Sequence, residues 1–145
     1  MITNNIESLL PHRAPFLFVD EIVSCDEHGS VSTRKFTEND FFFAGHFPGY
    51  PVVPGVVLIE TMAQAGGAAL SWQKTFPDGS LFFLASVDKV KFRHQVRPGD
   101  VVRMEITNLR VSARSVKQSG TAYVGDTLAA EAEWLCLVGS AAGAA

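Results

Sequence analysis

The chain has 145 residues, of which 47% are hydrophobic, and this length suits one domain with a single core. A formal net charge of −3 and a pI near 5.7 argue against nucleic acid as the main partner. Cys25 and Cys136 lack metal-ligand spacing and are expected to be free thiols in a reducing cytoplasm. The N-terminus lacks a signal-peptide pattern, and no apolar run uninterrupted by a charge reaches the roughly 18 residues of a membrane span.

The first third of the chain predicts one short helix and two strands. A helix is expected over Asn4–Leu10, a core strand over Phe16–Ser24 and a returning strand over Val31–Phe36. A polar turn ending at Gly29 joins the two strands. His12 lies in the connection after the helix, and its side chain is expected to hydrogen-bond locally.

A shaped loop and a long apolar helix follow. Two glycines and three prolines within ten residues around His46 indicate a rigid connection rather than a flexible linker. The helix is predicted from Gly55 to Lys74, about 30 Å long, because Pro54 is tolerated at a helix start. Apolar and small residues occur on all its faces, which is typical of a buried helix.

The second half of the chain predicts antiparallel strands joined by tight turns. They are expected at Leu81–Val87 with a continuation to Phe92, Val101–Val111, Ser115–Val124 and Thr127–Val138. Strands of this kind around one buried helix give an α+β layout. We expect a single domain over residues 1–138 and a flexible C-terminal tail over residues 139–145.

Glu60 is the one exception to the apolar pattern of the helix. It is the only formally charged side chain between Phe47 and Gln73, and Gln64 follows one turn later on the same face. One interpretation is a structural carboxylate, paired with an arginine or capping backbone amides. The other is an acid/base pair with the lone imidazole of His46, because proton-transfer chemistry needs such a pair.

The stretch GHFPGYPVVPGVVLIETMAQAGG, which begins at Gly45, resembles the signature of the 3-hydroxyacyl-acyl carrier protein dehydratases of the FabZ type. The similarity extends to the segments LPHR from Leu10, PFL from Pro15, and PGD from Pro98. It also takes in Val19-Asp20, Val87-Asp88 and Phe92. The resemblance implies a hot-dog fold, in which an antiparallel β-sheet wraps a long central helix.

The resemblance also implies a reaction, namely dehydration of (3R)-3-hydroxyacyl-acyl carrier protein to the trans-2-enoyl product in fatty acid biosynthesis. His46 would be the base and Glu60 the acid, held protonated by apolar surroundings and acting directly or through water. The Gly55 N–H would bind the thioester carbonyl at the helix start. No cofactor or metal is implied. The His and the Glu of one site would come from two subunits of a homodimer, and dimers of this family often assemble further into hexamers, as trimers of dimers.

Two further groups of residues suit an acyl carrier protein substrate. An apolar acyl tunnel is expected to involve Phe43, Phe47, Tyr50, Val53, Gln64 and Phe83. A basic row that could dock the acidic carrier and its phosphopantetheine arm is expected at Lys89, Lys91, Arg93 and Arg97. Core packing for the first group and an ordinary solvated strand face for the second are the alternatives.

The sequence departs from the family pattern at Phe41, Ala44, Tyr50 and Thr61, and these changes leave acyl-chain length and shape open. A specialised lipid or polyene pathway is therefore an alternative to housekeeping fatty acid synthesis. Two other functions stay open at this point. One is a hot-dog acyl thioesterase, and the other is a carrier-binding subunit without chemistry of its own.

Overall fold

A computed structural model describes residues 1–140. One long helix, α1, packs against a six-stranded antiparallel sheet. The elements are a 3₁₀ turn at Ile6–Ser8, β1 (Glu21–Cys25), β2 (Gly29–Lys35), α1 (Gly55–Trp72), β3 (Ser80–Phe92), β4 (Val101–Val111), β5 (Ser115–Val124) and β6 (Thr127–Ser140). No helix within the described residues has both the length and the hydropathy needed to cross a membrane. The predicted α+β hot-dog layout is confirmed.

The sheet order is β1-β2-β4-β5-β6-β3, so β1 and β3 form its two edges. The tight turns between strands contain Gly99 and Gly125, both of which have positive φ angles (94° and 58°) that favour glycine. Five of the six strands follow the predicted positions closely, and the greatest difference is at β1. That strand begins at Glu21 rather than Phe16 because the preceding backbone bonds to a side chain: Gln64 accepts from Phe18 N and donates to Phe16 O.

The helix α1 lies against the sheet through small side chains. Ala65, Ala68 and Ala69 are buried, and Gly66 approaches the buried amide of Gln118 on β5 so closely that a Cβ would overlap it. The helix ends at Trp72, two residues before the predicted end, because Lys74 takes a left-handed backbone conformation with φ 59°.

The core between helix and sheet is continuous and mostly apolar. Its largest fully buried side chains are Trp134, Phe18, Phe36, Ile22, Met62 and Met104. The predicted N-terminal helix is reduced to a single 3₁₀ turn, whose Ile6 is buried in this core. The core therefore covers the inner face of the sheet from the β1 edge to β6.

The C-terminal strand runs past the predicted end of the domain. Gly139 and Ser140 pair with Leu81 and Ser80, so β6 continues two residues beyond Val138. The rest of the predicted flexible tail, residues 141–145, lies outside the described residues.

Candidate active site

His46 is held at the mouth of a cleft by two hydrogen bonds to one neighbouring residue. Its Nδ1 lies 2.8 Å from the carbonyl oxygen of Val52, and its own carbonyl oxygen accepts from Val52 N at 2.9 Å. A carbonyl oxygen can only accept, so in the neutral imidazole the proton is on Nδ1 and Nε2 carries a lone pair. The glycine- and proline-containing loop therefore presents His46 with Nε2 as a proton acceptor.

The cleft beside His46 has a volume of about 510 Å³. Its lining is mostly apolar and includes Val53, Gly55, Val56 and Phe92. Gly55 begins α1, so its N–H belongs to the first-turn amides that have no acceptor within the helix. A Cβ on Gly55 would lie 2.8–3.0 Å from the Phe92 ring, so glycine is what lets the ring pack against the start of the helix. His46 and the start of α1 thus share one cleft of a size that suits a small-molecule ligand.

Glu60 lies one helical turn after Val56 on the same face of α1, but outside this cleft. It lines a smaller cavity of about 120 Å³, together with His12, Gln64 and Cys136. The two cavities have no lining residue in common. Within one protomer, the structure therefore does not place the two predicted acid/base residues in the same cavity.

The contacts of the Glu60 carboxylate involve a single oxygen. Gln64 Nε2 donates to Oε2 at 2.9 Å, and His12 Nε2 lies 3.6 Å from the same oxygen. The predicted proximity of Gln64 is confirmed, while no arginine pairs with Glu60 within residues 1–140. The local hydrogen bond expected for the His12 side chain is not observed. Its Nδ1 is buried and has no partner among the described residues, and its Nε2 is 3.6 Å from Glu60.

Burial beside this small cavity shifts the pKa values of two neighbours of Glu60, His12 and Cys136. Burial lowers the pKa of His12 below its ordinary value of about 6.5, although the nearby Glu60 carboxylate opposes the shift. Burial, with a further contribution from Glu60, raises the pKa of Cys136 to about 11. At neutral pH both neighbours are therefore mostly uncharged, and neither brings a charge of its own to the cavity.

The residues predicted for an acyl tunnel have varied positions. Val53 borders the cleft, while Phe47 stacks on the His46 ring with a centroid distance of 4.2 Å. Phe43 is buried in the core, and Phe83 is exposed on the edge strand β3. Gln64 is 2% exposed and lies beside Glu60 rather than in the cleft.

Tyr50, the last of that group, lies on the rim of the cleft rather than in it. Its hydroxyl donates to Gln95, which does line the cleft, at 3.1 Å. The Arg97 guanidinium lies 4.3 Å above the Tyr50 ring, a cation–π distance. Tyr50, a departure from the family pattern, therefore supplies the aromatic ring on which Arg97 stacks.

The basic residues predicted on β3 are exposed, but a bulge between Asp88 and Lys91 interrupts the strict alternation, and glutamates on β6 neutralise part of the charge. Lys89 pairs with Glu133 at 3.4 Å, and Arg93 pairs with Glu131 at 3.3 Å. Lys91 has no ion pair among the described residues, and Arg93 also borders the cleft. No group of three or more His, Cys, Asp or Glu side chains in residues 1–140 is placed to hold a metal ion.

Sequence reasoning missed two contacts of this region. The His12–Glu60 approach joins residues far apart in sequence, and no local pattern signals it. The Phe92 ring over Gly55 was equally hidden, although Phe92 belongs to the predicted β3 strand. Both contacts depend on how the loop before β1 and the edge strand pack on α1.

Comparison with known proteins places these features in a family. The model of the FabA-like domain matches residues 10–133. The 3-hydroxyacyl-[acyl-carrier-protein] dehydratase FabZ of Desulforamulus reducens is 45% identical over 137 residues, which cover 94% of this chain and 96% of that protein. The protein of the same name from Caulobacter vibrioides is 47% identical over 131 residues, which cover 89% and 82% of the two chains.

Among solved structures, one chain of the dehydratase heterocomplex ApeI:P from Xenorhabdus doucetiae superposes with a TM-score of 0.83 at 17% identity, covering 95% of this chain and 93% of that one. A protein described as a hypothetical thioesterase with coenzyme A, from Streptococcus pneumoniae, superposes with a TM-score of 0.61 at 13% identity, covering 83% and 85%. At these identities the two superpositions concern the fold.

Proposed function

Because this chain belongs to the FabA-like family and is a 3-hydroxyacyl-[acyl-carrier-protein] dehydratase of the FabZ type, we propose that His46 and Glu60 carry out its reaction. His46 Nε2 takes the proton from C2 of the substrate, and the electrons of that C–H bond form the C2=C3 double bond. The C3–O bond breaks, and the departing hydroxide takes the proton of Glu60 and leaves as water. The atoms balance without a cofactor.

The observation that carries the base assignment is the hydrogen bond between His46 Nδ1 and Val52 O at 2.8 Å. It fixes the tautomer that leaves Nε2 unprotonated, and His46 borders the cleft that an acyl thioester would enter. At the same cleft, the Gly55 N–H would bind the thioester oxygen as charge develops on it, helped by the positive end of the helix dipole. A donor of this kind is typically worth about 10²–10³ in rate.

Glu60 suits the acid role through the same contacts that hold it in place. Gln64 donates to Oε2, while Oε1 makes no hydrogen bond within residues 1–140. The free oxygen is therefore the one that would carry the proton to the leaving hydroxyl, directly or through a water molecule. A positioned acid contributes about 10²–10⁴ in rate, so loss of Glu60 should abolish most activity.

The separation of the two residues within one protomer favours a homodimer with shared sites as the active unit. Val56 is 72% exposed on α1 beside the cleft, and Phe83, Leu84 and Phe92 are exposed on β3. This strand is 13 residues long and pairs on one side only, an edge that soluble proteins usually cover. A partner seated there would bring its Glu60 towards the cleft of His46. A hexamer would contain three such dimers.

The carrier would approach from the rim of the cleft. Acyl carrier proteins are acidic, and the pantetheine arm bears a phosphate, so basic side chains at the rim would steer docking. Arg93 borders the cleft, Arg97 is fixed over the Tyr50 ring, and Lys91 is without an ion pair in the described residues. Lys89 would contribute less, because it faces Glu133.

A subunit-mixing experiment tests the shared site. His46→Ala and Glu60→Gln proteins should each lose nearly all conversion of a 3-hydroxyacyl thioester to the enoyl product. Mixed and reassociated in equal amounts, they should regain about a quarter of the wild-type rate, because half the dimers carry one intact site of two. A mixture of Glu60→Gln with the double variant is the matched control and should stay inactive.

The outcomes separate the alternatives. No recovery in the first mixture would mean that the two residues act within one chain, and wild-type rates in both single variants would refute the site. Release of free thiol without enoyl product would indicate a thioesterase.

A further inference from the structure

We propose that His12 is a positioning residue for Glu60, whose Nε2–H holds one carboxylate oxygen so that the other carries the catalytic proton. This inference rests on the proposed role of Glu60 as the acid. It concerns the cavity of about 120 Å³ that lies further along α1 than the His46 cleft and shares no lining residue with it.

The geometry gives the two oxygens of Glu60 different surroundings. Oε2 accepts from Gln64 Nε2 at 2.9 Å and faces His12 Nε2 at 3.6 Å. The second distance is longer than a hydrogen bond, but catalytic hydrogen bonds are often long before substrate binds. The side chains of His12 and Glu60 are 23% and 24% exposed, so a charge on Glu60 is only partly screened by water.

The tautomer of His12 follows from its two nitrogens. Nδ1 is buried and has no hydrogen-bond partner among residues 1–140. A proton on Nδ1 would bury an unpaired N–H and turn the Nε2 lone pair towards a carboxylate oxygen, which is unfavourable on both counts. The proton is therefore on Nε2, where it points to Glu60 Oε2.

The protonation of the other groups in the cavity supports this arrangement. The titratable groups that face one another there are His12 from the loop before β1, Glu60 from α1 and Cys136 from β6. Burial lowers the pKa of His12 and raises that of Cys136 to about 11, so at neutral pH the imidazole is mostly neutral and the thiol is protonated. A neutral His12 can donate to Glu60 without pairing with it as a cation, which would hold the carboxyl group ionised.

The Arg13 side chain holds the backbone of the loop that carries His12. Arg13 Nη1 donates to Leu10 O at 2.9 Å and to His12 O at 2.7 Å, which ties both ends of this short turn to one guanidinium. The ring then reaches Glu60 across the cavity. When Glu60 gives up its proton, two N–H groups already face Oε2, and no reorganisation is needed to stabilise the carboxylate that forms.

Kinetics of two His12 variants test the role. His12→Gln keeps an N–H donor near the Nε2 position, whereas His12→Leu removes it at similar size. Since a hydrogen bond to a charged group contributes strongly, we expect kcat of His12→Leu to fall about tenfold or more. His12→Gln should stay within about threefold of wild type, and KM should change less than about twofold in both, because His12 does not line the cleft. His28→Leu is the matched control at an exposed histidine and should match wild type.

NMR of the imidazole nitrogens gives a second readout. Neutral His12 should be the Nε2–H tautomer, because its buried Nδ1 has no partner among the described residues, and its Nε2 signal should shift in Glu60→Gln, which changes the acceptor. The ring signals of His28 should be the same in both proteins.

An Nδ1–H tautomer of His12, or an Nε2 signal that does not change in Glu60→Gln, would overturn the inference, as would equal losses of kcat in His12→Gln and His12→Leu. If His12→Leu does not fold, the His12→Gln kinetics and the NMR signals still decide. Activity in Glu60→Gln would instead refute the proposed function on which the inference rests.

Discussion

Replacing Gln64 with methionine should lower both stability and turnover, because this buried amide joins the backbone to the proposed catalytic carboxyl group of Glu60. Its Oε1 accepts from Phe18 N at 2.8 Å, and its Nε2 donates to Phe16 O at 3.1 Å and to Glu60 Oε2 at 2.9 Å. Methionine has a similar shape and volume, so the change removes these bonds without opening a large cavity.

The magnitude follows from which partners can reach water. Phe18 is fully buried, so its N–H would lose its only acceptor and cost about 1–3 kcal/mol. The Phe16 carbonyl and Glu60 are partly exposed and can bond to water, which limits their loss to about 0.5–1.5 kcal/mol each. The free energy of unfolding should fall by about 2–6 kcal/mol, and kcat should fall about tenfold or more because Glu60 loses its hydrogen-bonded donor.

The control for this prediction is a second buried glutamine. Gln118, on β5, accepts from Trp134 Nε1 at 3.1 Å and donates to Asn108 at 2.8 Å, away from both cavities. Gln118→Met should lose comparable stability in denaturant unfolding at fixed protein concentration, yet keep its kcat per folded molecule. Equal kcat in Gln64→Met and Gln118→Met would refute the link from Gln64 to Glu60. An unchanged unfolding midpoint in Gln64→Met would refute the hydrogen-bond reasoning.

Three further predictions concern packing and titration. Gly120→Ala places a Cβ 2.6 Å from the buried Trp134 ring, so the free energy of unfolding should drop by about 1–3 kcal/mol in urea titrations; no drop would mean that the ring can yield. Cys136, with a pKa of about 11, should react with a thiol reagent more slowly than half-buried Cys25 at pH 8, and its rate should climb roughly tenfold per pH unit up to pH 10. Because burial lowers the pKa of His12, the unfolded chain binds a proton more readily, and stability should decline as pH falls below about 6.5; His12→Gln should show a shallower decline, and parallel curves would contradict the shift.

Much of the fold could be predicted because the hydrophobic pattern along the sequence matches the helix or strand that each segment forms. The apolar stretch after Pro54 predicted α1 to within two residues, since Pro54 allows a helix start and the run of small and apolar side chains suits burial on a sheet. The strands β4 and β5 agree with their predicted bounds, because alternation and tight turns define them locally. The start of β1 was mispredicted for the opposite reason: Gln64, a distant side chain, takes the hydrogen bonds that a neighbouring strand would otherwise make.

The identities of the candidate acid and base come from the sequence alone, because a charged residue in an apolar helix and a lone imidazole in a rigid loop stand out without coordinates. Tertiary structure decided their surroundings. It gave His46 its tautomer through Val52, placed Glu60 in a separate cavity one helical turn beyond the His46 cleft, and put the imidazole of His12 beside the carboxylate. Such contacts join segments distant in sequence, and local patterns cannot encode them because they depend on how the loops pack around a helix already in place.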